Sequence, residues 1–487
     1  MGSATQVHPR EGNDETMKMS LNLKKREKKA APLQNGITEG VIWQQLLLYF
    51  FPILLGTFFQ QLYNTVDAVI VGNFVGKQAL AAVGGSTSTI INLLVGFFVG
   101  LSSGATVIIS QFYGAGRQKE TSDAVHTSIA LALSGGVLLT VVGLAISSFS
   151  LQAMGTPEEI MPDALTYMRI YFAGTVFSLI YNIGSGILRA VGDSKRPLYF
   201  LIVCSLTNLV LDLLFVLAFN MGVLGVALAT IISQALSACL VIVTLLRSAT
   251  CFKLYIRKIR LHLHLLGQIV RIGLPAGLQS MMYSISNLTI QSSINAFGTD
   301  SIAAWTAYGK IDGLFWMIMG AFGVTITTFV GQNFGAGKYG RMRRCVKTCL
   351  LMAFGASVLL SCLLMLFGRY ILGIFTSDAG VLTLGMQILW LMAPFYFTYV
   401  CIELLSGAMR GAGEALVPML MTCVGICVLR VVWVLGAVPL HNTLPMVIVS
   451  YPLTWAVTSV FYVLYYRSNR WIKKRLPEGV DSTKDAQ

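Results

Sequence analysis

Twelve stretches of mainly apolar residues divide the chain, at 46–72, 86–110, 124–148, 165–188, 198–220, 224–247, 267–296, 304–330, 346–373, 386–408, 418–438 and 445–466. A bilayer is crossed by about 20 helical residues rising 1.5 Å each, so every stretch is long enough to span. The runs are continuous rather than alternating in ten-residue strands, which excludes a β-barrel. The pattern predicts an all-α integral membrane protein with twelve transmembrane helices. Residues 1–40 are polar and carry the basic run Lys24-Lys25-Arg26-Glu27-Lys28-Lys29. No apolar core follows closely enough for a cleaved signal peptide, and Gln6 stands where a myristoylation motif wants serine or threonine. This segment reads as a disordered cytoplasmic tail, with Met17 or Met19 as alternative starts.

Composition agrees with the pattern. The 487 residues are 55% hydrophobic and 11% charged, against about 25% charged in soluble domains. The net charge of +14 does not form a nucleic-acid surface, because the basic residues sit in separate clusters between the spans. Lys195-Arg196, Lys253 with Arg257-Lys258-Arg260, Lys338 through Lys347, and Arg467, Arg470, Lys473, Lys474 and Arg475 fall on alternate connections or the C-terminal tail. The connection after the third span instead has Glu158, Glu159 and Asp163. The positive-inside rule then predicts that both termini are cytoplasmic. The nine cysteines lie mostly inside apolar runs; Cys345/Cys349 and Cys423/Cys427 are helical i,i+4 pairs rather than CxxC motifs. His262 and His264 lie in a linker with no nearby acid or cysteine, so no metal centre is expected there.

The chain repeats itself. Gln111-Phe-Tyr-Gly-Ala-Gly-Arg117 returns as Gln332-Asn-Phe-Gly-Ala-Gly-Lys338, and Arg189-Ala-Val-Gly-Asp-Ser-Lys-Arg-Pro197 as Arg410-Gly-Ala-Gly-Glu-Ala-Leu-Val-Pro418, both 221 residues on. Gly76-Lys-Gln-Ala-Leu-Ala-Ala82 matches Gly298-Thr-Asp-Ser-Ile-Ala-Ala304 at 222, and Pro52 and Asn64 match Pro275 and Asn287 at 223. Six spans per repeat bring both halves in from the same side, which predicts two parallel six-helix lobes about an axis along the membrane normal. The expected division is a tail at 1–40, an N-lobe at 41–248, a cytoplasmic linker at 249–264, a C-lobe at 265–468 and a tail at 469–487. The GAG motifs lack the GxxxxGK[ST] frame of a phosphate loop and read as tight cytoplasmic turns.

Four acids stand inside spans: Asp67, Asp212, Asp312 and Glu403. An Asp at a membrane-helix centre costs about 2.5–3.5 kcal/mol, so such residues face a partner, an ion or water. Asn208 and Asp212 are four apart and share a face of the fifth span. At about 1.5 Å per residue, Asp67 and Asp212 lie roughly 8–12 Å below the outer helix ends, with Thr230 at similar depth and Asn208 about one turn deeper. Asp67, Asn208, Asp212 and Thr230 thus offer oxygen ligands for a hard monovalent cation, and two carboxylates out of water hold one proton between them. The other reading is polar glue between helices. Repeat matching argues for the site: Asp67, Asn208 and Asp212 correspond to Ile290, Leu429 and Trp433, so the acids belong to one half only. Gln60, Tyr63, Asn64, Tyr283, Asn287 and Trp316, with Met281 and Met282, are candidates to line a pocket for a flat or greasy cation, or simply to fill space between helices. Asp312 and Glu403 either face that cavity or pair structurally.

Val66-Asp67-Ala-Val-Ile-Val-Gly72 with Ala81-Ala82, the doubled QxxGAG and RxxG[DE]xxxP motifs, and Ser450-Tyr-Pro-Leu-Thr-Trp455 resemble the multidrug and toxic compound extrusion (MATE) transporters over about residues 41–468. The resemblance implies a V-shaped two-lobe fold in a bacterial plasma membrane. It implies alternating access and export of hydrophobic, often cationic small molecules in exchange for Na⁺ or H⁺, with no other cofactor. In DinF-type members the N-lobe cation site is similar to the set Asp67, Asn208, Asp212 and Thr230. The chain departs from the NorM branch, whose seventh span carries a glutamate, since no acid occurs between Leu274 and Thr299. A lipid-linked oligosaccharide flippase of related architecture is the alternative; it would favour a strongly cationic cavity, whereas Lys310 and Arg430 are the main mid-span cations. A non-transporting receptor or scaffold would not need polar groups at matched depth. No nucleophile–base set points to an enzyme, and a two-lobe chain is expected to work as a monomer.

Overall fold

The computed structural model describes residues 36–376 and 378–473. Twelve long helices follow one another: α1 Ile42–Val75, α2 Lys77–Gly114, α3 Gln118–Ala153, α4 Met161–Ala190, α5 Lys195–Ala218 and α6 Gly222–Arg247, then α7 Leu263–Asn295, α8 Thr299–Gly335, α9 Tyr339–Gly373, α10 Ala379–Gly411, α11 Leu416–Leu440 and α12 Leu444–Arg467. A short α13, Arg470–Lys473, follows. All twelve expected spans match these helices, and most helices run past the apolar stretches, because backbone hydrogen bonding continues until a turn interrupts it; α5 and α7 instead end at Ala218 and Asn295, just short of the expected limits. Eleven of them are apolar enough to be recognised as membrane-crossing by hydropathy alone. α7 is 33 residues long but carries Gln268, Arg271, Gln279 and Asn287. Its place is against α2, between the two halves.

The repeated motifs stop the helices. Gly116 and Gly337 have φ +71°, and Gly192 and Gly413 have φ +99° and +92°, the left-handed region that glycine enters without a Cβ penalty. At each, the next N–H reaches back five residues: Arg117 to Phe112, Asp193 to Leu188, Lys338 to Asn333 and Glu414 to Met409. These are Schellman closures, which satisfy helix-end carbonyls before the chain reverses. Asp193 then accepts from the backbone N–H groups of Lys195 and Arg196, capping α5.

The two halves meet around these turns. Gln111 donates to the Gly411 carbonyl (2.7 Å), and its repeat mate Gln332 donates to the Ala190 carbonyl (2.6 Å). Each glutamine of one motif therefore grips the other motif in the opposite half. A Cβ on Gly114 would lie 2.1 Å from the Gln332 carbonyl oxygen, and one on Gly335 would lie 1.9 Å from that of Gln111. Gly100 and Gly104 of α2 likewise face Gly277 and Gly273 of α7 at backbone contact. Lipid tails are as apolar as leucine, so close approach of small residues supplies the attraction that hydrophobic burial supplies in water. Phe50 of α1 stacks on Phe322 of α8 at 4.1 Å, and Tyr49 donates to the Arg189 carbonyl at 2.7 Å. All these contacts lie in the helix halves nearest the basic connections, so the two halves join there.

Ile37–Gly40, which the sequence pattern places in a disordered tail, is held in place. Arg341 donates to the carbonyls of Ile37, Glu39 and Gly40, and Lys338 to that of Thr38. Asn469, with φ +55°, turns the chain after α12 so that Trp471 and Ile472 are buried. The remaining tail expectations, for 1–35 and 474–487, lie outside the described residues.

Candidate functional site

A cavity of about 480 Å³ opens within the first six helices. Its wall on α1 is a polar stripe, Gln60, Tyr63, Asn64 and Asp67, spaced so that one face of the helix carries all four. α6 adds Thr230 and Gln234, α2 adds Ser88 and Asn92, and α4 adds Tyr167, Tyr171, Ser178 and Asn182. Each of these helices thus presents an i,i+4 polar pair in an apolar run. That signal was available for Ser88/Asn92, Ser178/Asn182 and Gln234, which the sequence reading passed over.

Asp212 and Asn208 come from α5 behind the cavity wall, 1% and 2% exposed. The carboxyl groups of Asp212 and Asp67 lie close enough to interact electrostatically. Tyr63 and Tyr167 lie within the field of both acids. Asp67 Oδ1, both carboxylate oxygens of Asp212 and Asn208 Nδ2 are buried without a hydrogen-bond partner. Thr230 is 6% exposed and donates its hydroxyl proton to the Val226 carbonyl (3.0 Å), which leaves only lone pairs to offer. The four residues of the expected cation set therefore stand together, and the acids lack the donors that buried carboxylates ordinarily require. The oxygen-rich donor set suits a hard cation or a proton. Among the described residues no cluster of three or more His, Cys, Asp or Glu forms.

Two features around the pair carry no simple sequence signal. α1 passes into a π-turn at Val71–Val75 four residues after Asp67, and α5 into one at Leu214–Ala218 two residues after Asp212. The wider turns are closed by Gly76 N–H to Val71 and Phe219 N–H to Leu214. Such bulges inside helices occur frequently at functional sites. In the second half the matched positions are filled: Ile290 is buried, and Trp433 donates to the Met446 carbonyl at 2.9 Å.

The remaining expected cavity residues lie elsewhere. Asp312 Oδ1 accepts from Tyr308 (3.0 Å) and Tyr396 (2.7 Å), and Oδ2 accepts from Trp316 (2.6 Å). Glu403 accepts from Tyr399 (3.1 Å), whose hydroxyl meets that of Tyr283 at 3.4 Å. Trp316 packs edge-on against Tyr399 at 4.7 Å. Tyr283, Asp312, Trp316 and Glu403 thus form one aromatic–acid cluster in the second half, with donors supplied to both acids. Asn287 is exposed on α7 and stands apart from both groups.

The MatE family model matches residues 52–214 and again residues 275–434. The chain is 27% identical over 446 residues to the probable multidrug resistance protein YoeA of Bacillus subtilis, covering 89% of this chain and 95% of that protein. It is 29% identical over 394 residues to the probable multidrug resistance protein YpnP of the same organism, covering 81% and 88%. Among solved structures, a multidrug resistance MATE family transporter of the MOP superfamily in an outward-facing conformation superposes with TM-score 0.83, at 24% identity, over 90% of this chain and 98% of that one.

Proposed function

This chain belongs to the MatE family, and from that premise we propose that it is a secondary antiporter that exports hydrophobic, often cationic small molecules in exchange for Na⁺ or H⁺. One observation carries the reading: Asp67 and Asp212 face each other with three buried oxygens lacking any donor. Like charges at such a distance, out of water, repel strongly, and the repulsion is relieved by a proton shared between them or a small cation held there. Asn208 and Thr230 supply the further oxygens that Na⁺ would need. A cavity of about 480 Å³ is within the range that takes a drug-sized ligand, and Tyr63, Tyr167 and Tyr171 offer ring faces to a cation.

Export then follows from competition inside the first six helices. An ion entering from outside neutralises the pair and draws α1 and α5 together at their π-turns, which narrows the cavity and expels the substrate. The interlock of the doubled motifs must part next, opening the basic end so that the ion leaves to the cytoplasm. This order requires both termini in the cytoplasm of a bacterial plasma membrane, and one chain holds all the parts. The oligosaccharide-flippase reading is weaker, because no lysine or arginine among the described residues lines the cavity.

The test is drug efflux from energised vesicles, wild type against Asp67→Asn, with Na⁺ and pH gradients imposed separately. Antiport through the pair predicts efflux driven by one gradient and abolished in the variant. Efflux that ignores both gradients, or that survives Asp67→Asn in a folded protein, defeats it.

A further inference from the structure

Each half of the molecule has a groove at its basic end between its third and sixth helices, and the two grooves differ. In the first half the chain covers its own groove. The Tyr255 N–H donates to His126 Nε2 (3.0 Å), the Tyr255 ring stacks on that imidazole at 6.2 Å, and Leu254 N–H donates to the Leu245 carbonyl. Phe252 and Leu254 are buried beneath. The 221-residue repeat offset carries His126 to Lys347. There, between α9 and α12, the groove stays open as a cavity of about 520 Å³.

This second groove has a charged rim and an apolar floor. Arg343, Lys347 and Arg467 stand at the rim, while Val346, Leu350, Leu351 and Phe354 continue down the same face of α9 toward the membrane centre. Lys347 and Arg467 are exposed, and Leu351 is 65% exposed. The far wall is built rather than frayed: Asn469 Oδ1 accepts from Arg343 at 3.1 Å, and Trp471 stacks on Tyr466 at 5.1 Å. No carboxylate among the described residues lines the cavity.

An occupant must therefore be anionic at one end and hydrocarbon at the other. A free anion would gain nothing from the floor, and a peptide segment would lay its amides on a surface that offers them no partners. We propose that this groove binds an anionic phospholipid of the leaflet at the basic end, its phosphate among Lys347, Arg467 and Arg343 and one acyl chain along Leu350, Leu351 and Phe354. Basic pockets between transmembrane helices recognise such headgroups through the same combination. The inference needs only the membrane fold and stands apart from the transport reading.

The test uses the full chain in detergent, with native mass spectrometry counting retained phosphatidylglycerol against phosphatidylcholine of identical acyl chains. Wild type should retain phosphatidylglycerol selectively. Lys347→Gln with Arg467→Gln should weaken that binding about 30-fold, at the usual contribution of a surface cation. Lys347→Arg with Arg467→Lys should keep it. So should Lys119→Gln with Arg257→Gln, which removes equal charge from the same end of the molecule. Three results would each overturn the proposal: equal retention of phosphatidylcholine, unchanged binding in the Gln pair, or displacement by soluble glycerol phosphate as effective as by lipid. So would a selectivity that appears only after residues 474–487 are deleted, since the tail would then be the natural occupant.

Discussion

Gly335→Ala isolates the joint between the two halves. The new Cβ would lie 1.9 Å from the Gln111 carbonyl oxygen, against the 3.4 Å at which ordinary contact begins, so the two backbones must part by about 1.5 Å. Backbone cannot swing aside as a side chain can, so the halves must separate or the helices must bend. Overpacking of this kind costs about 1–3 kcal/mol, and the cost falls only on the arrangement in which the basic end is closed. The closed-to-open ratio should therefore drop by about 5- to 150-fold. Gly337→Ala is the matched control: two residues along, with φ +71° and nothing within 4 Å of its Cβ, it strains a turn without touching the other half. Spin labels at exposed Gln78 and Asp300, at the opposite end of α2 and α8, read the equilibrium by double electron–electron resonance. The non-buried cysteines Cys239, Cys251, Cys362, Cys401 and Cys423 are replaced by serine first. Gly335→Ala should add a population with shorter separation at that end, and Gly337→Ala should not. Identical distance distributions in Gly335→Ala and wild type, or an equal shift in Gly337→Ala, would refute the interlock as the closure that the proposed alternating access works against.

The acids of the two halves should respond oppositely to neutralisation. Asp312→Asn leaves three donors facing an amide and should cost about 1–3 kcal/mol, seen as a melting temperature lowered by a few degrees in detergent. Asp67→Asn removes a charge that has no donor to lose, so its melting temperature should stay level or rise; the reverse order would mean that the pair is structural glue. Tyr396→Phe keeps the ring stacked on Phe315 at 4.1 Å but deletes the 2.7 Å hydrogen bond to Asp312, and should reproduce part of the Asp312→Asn loss. Arg341→Ala frees the carbonyls of Ile37, Glu39 and Gly40 and should speed limited proteolysis just before α1. An unchanged cleavage rate would show that this segment is held by other contacts.

The pattern of apolar runs disclosed the twelve helices, eleven of them apolar enough to cross a membrane by hydropathy alone, because membrane crossing depends on a length of apolar side chain that can be counted along the chain. The doubled motifs disclosed the two halves for a similar reason: a turn that needs glycine at one position needs it again in the copy, as Gly116/Gly337 and Gly192/Gly413 show by their φ angles. Asp67 and Asp212 stood out as charges in apolar runs. Their difference from Asp312 and Glu403 did not, since in sequence all four are acids in apolar runs, and only the fold supplies Tyr308, Tyr396, Trp316 and Tyr399 to one pair and no donor to the other. Tertiary structure also decided that Gln60, Tyr63 and Asn64 share a cavity while Tyr283 and Trp316 belong to a separate cluster. It decided as well that Gln111 and Gln332 cross to the opposite half. Helical period places a residue on a face, but what that face meets depends on neighbours hundreds of residues away, and no local pattern encodes them.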